Sequence, residues 1–485
     1  MLRLCKKPLH LCVKTIRKNQ QMKKILLLFS ILLLLFQTAF AQSEYVVIDS
    51  IQVTGQKKTR TKNILRELDF RVGDTLEVGN LAEAVEQNRL LLMSTGLFGN
   101  VEISTKKMAA NQTMIDVKVE ESWYLYPFFN VEVGDRNFNV WWVQQNRALN
   151  RLNYAFQVSH RNLTGRRDLL KIYSQLGYEP KFQITYDLPY FNENQTLGFR
   201  GDIFYAQAKE WGLDTKSDTL SLISNQDSVM IRRFRLTAGL RYQQGVFSKH
   251  EAEVRFHRNQ ISDFAADYNP DFFLDGNTLQ RYFALTYTFT TDYRDFKPYP
   301  LKGYFLSATL TKEGFGLFGD INTLYIAPNF AYYQPISKRF SAAINVRGKV
   351  SLLRNQLPYF NNRSIGYLPD YMRGYEYYVI DGLDYVMARA SVRFQWLDKS
   401  FIIKRKNKDK KRNYFPLKIY STVFHDEAFA NNPFYSDGNE FVNRHLWSFG
   451  TGLNLVIYND FLLRIEYTVN HKGEASPYLH FDLPF

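Results

Sequence analysis

Cysteine is almost absent from the 485-residue chain: only Cys5 and Cys12 occur, both within the first 41 residues. If that segment is removed on export, the rest of the chain has no thiol. A disulfide framework is then excluded, even in an oxidising compartment. Long apolar runs are equally scarce beyond it, and a mean hydropathy of −0.33 excludes a bundle of transmembrane helices.

One apolar run does occur, near the N-terminus. Two lysines precede its leucines and an A-x-A sequence follows them, which is the order of an export signal. We therefore predict a targeting segment over residues 1–41, removed before Gln42, with translation starting at either Met1 or Met22. No cysteine follows the run, which argues against a lipoprotein anchor.

A large excess of charge of one sign is also missing once this segment is set aside. The formal net charge of +15 includes eight Lys or Arg and no acid from residues 1–41, so 15 − 8 leaves +7. That value is too small to indicate nucleic-acid binding. We predict no nucleic-acid partner.

Residues 42–121 have the pattern of a small α+β domain. The strand YVVIDSIQVTG ends in a glycine turn, and TRTKNILRELDF and NLAEAVEQNRLLLMSTG space their apolar residues as helices do. Two further strands, NVEISTKK and MIDVKVEE, follow. The predicted order is β-α-α-β-β, with Gly96 ending the second helix.

From residue 122 to 485 we predict strands and no helix. Short segments alternate apolar and polar residues, as in FLLRIEYTVN. Its apolar face comprises Phe461, Leu463, Ile465, Tyr467 and Val469, and its polar face Arg464, Glu466, Thr468 and Asn470. A soluble β-sandwich would produce the same alternation, so a membrane barrel needs further support.

Three features favour the barrel. Tyr and Phe crowd the strand ends, where membrane-interface girdles belong, although Trp is rare, with 6 residues against 32 Tyr and 39 Phe. Short turns alternate with long polar connections at 210–229 and 261–279. The C-terminal strand places one set of apolar residues on a single face: Leu479, Phe481, Leu483 and Phe485. We predict a mainly β protein with a 16-stranded antiparallel transmembrane β-barrel over residues 122–485, both ends on the periplasmic side.

Three short motifs lie in this region. DYRDFKPYPLKG has the spacing D-x-R-D-x4-P-x-x-G, through Asp292, Arg294, Asp295, Pro300 and Gly303. MRGYE contains Met372, Arg373, Gly374 and Tyr375, and VFHDEA contains Asp426. In these motifs, and over essentially its whole mature length, the chain resembles the BamA/TamA superfamily of outer-membrane assembly factors and two-partner secretion transporters, with Met372 in place of the usual valine.

The resemblance implies a single periplasmic POTRA-like domain over residues 42–121 and a barrel in the cell outer membrane. It implies that MRGYE forms the tip of the sixth extracellular loop and that Asp426 is the acidic partner of Arg373. A guanidinium in a confined lumen needs a carboxylate because it cannot be neutralised. The alternative is a solvated arginine on an outer loop. Ser391 stands where many relatives carry Glu, so Asp426 is expected to act alone.

The remaining sequence patterns do not indicate a catalytic, cofactor or metal site. GFGLFG matches a dinucleotide motif in letters, but a strand follows it instead of a helix, so we predict an outer hairpin loop. The seven histidines after residue 41 are scattered and G-x-S-x-G is missing, so we predict no metal, no cofactor and no enzyme activity. The basic segment 404–412 is either a solvated turn or a contact for anionic headgroups or an acidic partner.

Two classes of function remain open. As an assembly factor or translocase, the protein would insert or export unfolded outer-membrane or secreted polypeptides, contacting outer-membrane lipids and accessory lipoproteins or periplasmic chaperones. A single POTRA-like domain favours a specialised role, such as a dedicated transporter for one partner. Alternatively, the barrel is a passive channel or a structural subunit.

Overall fold

The computed structural model describes residues 45–109, 111–225, 228–403, 413–458 and 461–482. The predicted targeting segment, the basic segment 404–412, and Leu483 and Phe485 lie outside the described residues. The chain divides between Ser122 and Trp123 into two compact units. None of the helices in the described ranges is long and apolar enough to cross a membrane.

The first unit is one four-stranded sheet with two helices. Its elements are β1 (Tyr45–Thr54), α1 (Thr61–Arg66), β2 (Thr75–Glu77), α2 (Val78–Ser94), β3 (Phe98–Ala109) and β4 (Gln112–Glu121). The sheet order is β2-β1-β4-β3, in which β1 and β4 are parallel and β3 and β4 form a hairpin. The predicted order lacked β2, because a strand of three residues is too short to produce a periodic pattern.

The core of this unit joins the sheet to α2. Ile48 on β1 and Leu92 on α2 are fully buried. Asn88, also buried, accepts a hydrogen bond from the N–H of Asp69 at 2.6 Å and so ties the segment after α1 to α2. Gly55 has φ +89°, and a Cβ there would lie 2.1 Å from the carbonyl oxygen of Val119, so the predicted glycine turn admits no side chain.

The carboxylate of Glu121, at the end of β4, holds the chain that leads into α1. It accepts backbone N–H groups of Lys58 at 2.9 and 3.1 Å and of Thr59 at 2.6 Å. Burial alone would raise the pKa of Glu121, but the donated hydrogen bonds outweigh it and the pKa is lowered. The ionised form is therefore part of the folded unit.

The second unit is a 16-stranded antiparallel sheet, as predicted. Its strands are β5 (Leu125–Val133), β6 (Leu152–Arg161), β7 (Leu169–Gly177), β8 (Lys181–Leu188), β9 (Leu197–Ala208), β12 (Ile231–Gln244), β13 (Ser248–Ile261), β14 (Leu279–Asp292), β15 (Gly303–Glu313), β16 (Thr323–Pro335), β17 (Phe340–Ser351), β18 (Asp384–Ile403), β19 (Asn413–Asn431), β20 (His445–Ile457), β21 (Phe461–Asn470) and β22 (Ala475–Asp482). A separate hairpin, β10 (Glu210–Lys216) and β11 (Thr219–Ser224), stands between β9 and β12. The sheet runs from β22 at one end to β5 at the other.

The polarity of this sheet is inverted relative to a soluble protein. On β21, Ile465 and Tyr467 are 45% and 52% exposed, whereas Glu466 and Thr468 are 2% and 1% exposed. The same holds around the sheet, where buried polar residues include Asp202, Asn259, Gln280, Thr286 and Asn454, and exposed apolar ones include Leu240, Val254, Leu285, Val423 and Leu453. An apolar outer face and a polar interior are what a barrel in lipid requires, which decides against the soluble sandwich.

The connections carry more structure than the sequence predicted. The long connection after β9 contains the hairpin β10/β11, and the one after β13 contains the helix α3 (Asp263–Tyr268). Further single turns of helix occur at Val140–Gln144, Leu149–Arg151 and Tyr359–Asn361. The prediction of no helix after residue 122 is therefore wrong for the loops, because helices of three to six residues are too short for the 3.6-residue period to be recognised.

Glu121 generates a prediction for the first unit. Because its pKa is lowered on folding, its stabilisation should be present above the usual glutamate value of about 4.3 and be lost as the pH falls through the lowered folded value. Hydrogen exchange of residues 45–122 in the full-length protein, corrected for intrinsic rates, should show this loss of protection below about pH 4.

The variant Glu121→Gln should already be less protected at pH 7 and should lose most of the pH dependence. Glu120→Gln, at the exposed neighbouring position, is the matched control and should behave like the wild type. Equal protection of the Glu121→Gln variant and the wild type at pH 7 would contradict the assignment.

Candidate functional site

Loop six, residues 352–383 between β17 and β18, is packed against the inner faces of the last strands. Ile365, Met372, Tyr375 and Ile380 of the loop are buried in one apolar cluster with residues of β18, β19 and β20. The loop is therefore folded inside the barrel. The resemblance predicted that MRGYE lies in the sixth extracellular loop, but the sequence could not define this packing.

Arg373, at the tip of loop six, contacts Asp426 on the inner face of β19. Its Nε donates to Oδ2 of Asp426 at 2.8 Å, and its Nη2 donates to Oδ1, which gives two parallel hydrogen bonds. Asp426 is fully buried, and the guanidinium carbon lies 3.8 Å from the centre of the Phe424 ring. The structure thus brings together the two residues that the resemblance paired. His425, the neighbour of Asp426, faces outward and bonds to Glu427.

A second carboxylate lies near the same guanidinium. Oε1 of Glu466, on β21, is 3.9 Å from Nη1 of Arg373, and Glu466 is 2% exposed. The expectation that Asp426 is the only acidic residue near Arg373 is therefore wrong. Ser391 on β18 carries no carboxylate, but Glu466 on β21 provides one. The sequence placed Glu466 on the polar face of a predicted strand, and the polar face of a barrel strand points inward. The sequence could not predict that Glu466 lies close to loop six.

The other residues of MRGYE are held in place by close packing. Gly374 has φ +86°, and a Cβ there would lie 2.7 Å from Cγ2 of Thr468. The Tyr375 hydroxyl donates to the carbonyl oxygen of Trp447 at 3.0 Å. Met372 is fully buried, so an unbranched side chain fills the position of the usual valine.

The turn between β14 and β15, residues 293–302, is built from the D-x-R-D motif. Arg294 makes two hydrogen bonds to Asp292, at 2.8 and 2.9 Å. Asp295 accepts the backbone N–H groups of Phe296, Leu301 and Lys302. These carboxylates replace backbone partners that an irregular turn would otherwise lack.

This turn also enters the barrel, from the end opposite to loop six. The carbonyl oxygen of Pro300 accepts from Arg393 at 2.8 Å, and the Tyr299 hydroxyl accepts from Asn454 at 2.8 Å. Gly303 has φ +101°, and a Cβ there would lie 2.0 Å from the carbonyl oxygen of Tyr293. The motif thus allows the chain to fold back tightly where β15 begins.

Between the turn and the tip of loop six lies a cavity of about 440 Å³. Its cationic lining residues are Arg294, Lys297, Arg347, Arg373, Arg389, Arg393 and Arg464. Loop six and the turn therefore enter the barrel interior from opposite ends, and the charged side chains that line the space between them are mainly cationic.

One cluster of possible metal ligands occurs in the described part of the chain. Glu376, Glu466 and His480 each offer one atom within 4.8 Å of the others. Glu466, however, also lies 3.9 Å from Arg373 and 4.0 Å from Arg464. Its charge is already balanced by guanidinium groups, which does not favour a cation.

The two terminal strands of the sheet, β5 and β22, form no hydrogen-bonded ladder with each other within the described residues. Strands β5 and β22 each pair with one neighbour, β6 and β21 respectively. Leu479 and Phe481 of the C-terminal motif lie on the outward face of β22, where Phe481 is 46% exposed. These two strands define a seam in the barrel wall.

A barrel with an apolar outer face, a seam and an inward-folded loop six defines an outer-membrane β-barrel protein. Residues 162–481, more than half of the chain, match the Omp85 superfamily domain, and residues 46–122 match the POTRA family described as surface antigen variable number repeat. The chain therefore belongs to the Omp85 superfamily, with a periplasmic POTRA domain before the barrel.

Solved structures share the fold. BamA from Haemophilus ducreyi lacking POTRA domains 1–3 superposes with a TM-score of 0.61 at 16% identity, over 90% of this chain and 83% of that one. CdiB from Escherichia coli superposes with a TM-score of 0.54 at 11% identity, over 90% and 75% of the two chains. No curated protein sequence matches the chain.

The buried ion pair generates a prediction on barrel stability. Asp426→Asn keeps the shape but leaves the Arg373 charge with only the more distant Glu466, and losing one partner of a buried pair costs about 3–5 kcal/mol. The temperature at which the barrel loses its compact mobility on SDS gels should fall by several degrees, whereas Glu466→Gln should lower it less.

Glu427→Gln is the matched control, because Glu427 lies next to Asp426 on β19 but is half exposed on the outer face. The double variant Arg373→Ala/Asp426→Ala should lose less stability than the sum of the two single variants. Additive losses, or an Asp426→Asn variant as stable as Glu427→Gln, would contradict the coupling.

Proposed function

We propose that this protein inserts or exports polypeptides at the outer membrane, with the seam between β5 and β22 opening to admit or template a strand. The observation that carries this proposal is that the sheet ends in two strands without a mutual ladder. Unpaired strand edges are a liability in ordinary proteins and are usually blocked. Here an incoming strand could pair with such an edge.

The POTRA domain has a second edge suited to the same task. β3 is the outermost long strand of its sheet and pairs only with β4. Its last six residues, 104–109, are exposed. An extended polypeptide could add to this edge by β-augmentation, with main-chain hydrogen bonds that do not depend on its sequence.

We further propose that Arg373, held by Asp426 and Glu466, locks loop six inside the barrel. Loop six and the D-x-R-D turn occupy part of the lumen, beside which cavities of about 710 and 340 Å³ remain near β5 to β9; a passive channel therefore stays the alternative that the experiment below must exclude. Membership of the Omp85 superfamily supports insertion or secretion in general. A dedicated transporter for one partner remains the second candidate, and lipoproteins or chaperones are proposed accessory partners.

Depletion of the protein tests this proposal directly. Quantitative proteomics of the outer membrane should then show the loss of β-barrel or exported proteins, restored by the wild type and only weakly by Arg373→Ala. Broad loss would indicate general assembly, and loss of one or two exported proteins a dedicated transporter. An unchanged proteome would contradict both.

A cysteine pair across the seam tests the opening step. With no cysteine after residue 12, one thiol on β5 and one on β22 can be oxidised without competition. The locked protein should lose most of its activity and regain it on reduction. Phe129→Cys/Phe156→Cys, which joins the paired strands β5 and β6, is the control and should stay active; full activity of the locked seam would overturn this step.

A further inference from the structure

Loop one, residues 134–151 between β5 and β6, reaches across to the last strand of the barrel. The side chain of Asn139 makes two hydrogen bonds with the backbone of Leu479 on β22. Its Nδ2 donates to the Leu479 carbonyl oxygen at 3.1 Å, and the Leu479 N–H donates to its Oδ1 at 2.8 Å. Asn139 is 5% exposed, so the contact is closed to solvent.

This pair of bonds reproduces what a neighbouring strand would provide. In an antiparallel ladder, one residue gives its N–H and its C=O to the same neighbour, and the next residue gives both to the opposite side. The carboxamide of an asparagine likewise has one acceptor, Oδ1, and N–H donors on Nδ2, and both atoms are bonded to the same carbon. Asn139 therefore occupies the position of a single residue of a missing strand.

Few other positions on this edge are available. The other residues of β22 with the same parity as Leu479, namely Ala475, Pro477 and Phe481, also direct their backbone groups away from β21. Pro477 has no N–H to offer. Among the described residues of β22, Leu479 is thus a central site at which an incoming strand could gain both a donor and an acceptor.

The segment that carries Asn139 is fastened to loop six. Arg136 donates to the carbonyl oxygens of Gly366 at 2.8 Å and of Tyr378 and Tyr377 at 3.1 Å. Asn137 donates to the carbonyl oxygen of Glu376 at 2.9 Å. Residues 136–139 therefore connect the folded loop six to the edge of β22.

An aromatic contact continues the same connection on the outer side. Phe138 meets Phe481 edge-to-face at 5.4 Å, and its ring stacks on Trp142, also at 5.4 Å. Two side chains of loop one, those of Asn139 and Phe138, thus cover β22 at two successive positions of the same parity, Leu479 and Phe481.

We infer that Asn139 is a removable clip on the seam: it saturates the edge of β22 at Leu479 in the resting protein, and an extended polypeptide strand must displace it to pair there. This inference rests on the proposed use of the seam. Exchange of one carboxamide for the N–H and C=O of one residue conserves both hydrogen bonds, so displacement is nearly balanced, whereas an empty edge would invite uncontrolled pairing. Arg136 and Asn137 bind loop six, so release of loop six from the barrel interior would also loosen the contact between Asn139 and Leu479.

The first test measures the edge itself. In the full-length protein in phosphatidylethanolamine/phosphatidylglycerol nanodiscs, hydrogen exchange of the Leu479 amide should be slower than that of the Phe481 amide. Asn139→Ala should accelerate Leu479 exchange about tenfold or more, while Asn130→Ala should leave it unchanged. Asn130 is the matched control because its side chain bonds to Glu132 on β5. Equal Leu479 exchange in the wild type and Asn139→Ala would overturn the clip.

The second test measures strand capture. The probe is a biotinylated, photoreactive peptide with the sequence of residues 474–485, whose cross-linking yield should rise several-fold in Asn139→Ala. Asn139→Asp, which keeps the acceptor but turns its donor into a second oxygen facing the Leu479 carbonyl, should also raise it. This second variant decides the question if Asn139→Ala does not fold, and unchanged capture in the folded variants would contradict the inference.

The two proposals can fail separately. In one case, Asn139→Ala shows faster Leu479 exchange and greater peptide capture, but depletion leaves the outer-membrane proteome normal and the cross-linked seam stays active. This result would support the clip and contradict the proposed function. Conversely, an inactive cross-linked seam with unchanged Leu479 exchange in Asn139→Ala would retain the seam and exclude Asn139 as its clip.

Discussion

The burial of one permanent positive charge governs the arrangement of the barrel interior. Arg373 cannot lose its proton, so loop six can fold inward only where carboxylates are waiting. Asp426 on β19 provides two hydrogen bonds, and Glu466 on β21 adds a second negative charge 3.9 Å away. Since these acids belong to different strands, the position of the loop is tied to the registers of the last barrel strands. Gly374 admits this approach because no Cβ intervenes.

Two unrelated segments enter the barrel interior and line a cationic cavity between them. Loop six enters from one end, and the D-x-R-D turn enters from the other, where Tyr299 and Pro300 contact the inner faces of β20 and β18. Each segment is held by apolar packing together with polar contacts: loop six by its buried cluster and the Arg373 ion pair, the turn by its own cluster and the hydrogen bonds from Arg393 and Asn454.

The wall is weakest where β5 and β22 meet, and loop one covers that weakness with a side chain instead of a strand. The carboxamide of Asn139 can be exchanged for the N–H and C=O of one residue of another strand without loss of hydrogen bonds. Arg136 and Asn137 place this contact next to loop six. The loop, the seam and the edge of β22 are therefore mechanically continuous within the barrel unit.

The sequence by itself determined the number of barrel strands, the inward orientation of residues such as Glu466, and the pairing of Arg373 with Asp426 through a family motif. Alternation and motif spacing are local properties, so they survive without a structure. Contacts between segments far apart in the chain were decided only by the tertiary structure: Glu466 near Arg373, Pro300 on Arg393, and Asn139 on Leu479, which are separated by 340 residues. The short strand β2 and the helical turns in the loops also escaped prediction, because they are shorter than the period that reveals them.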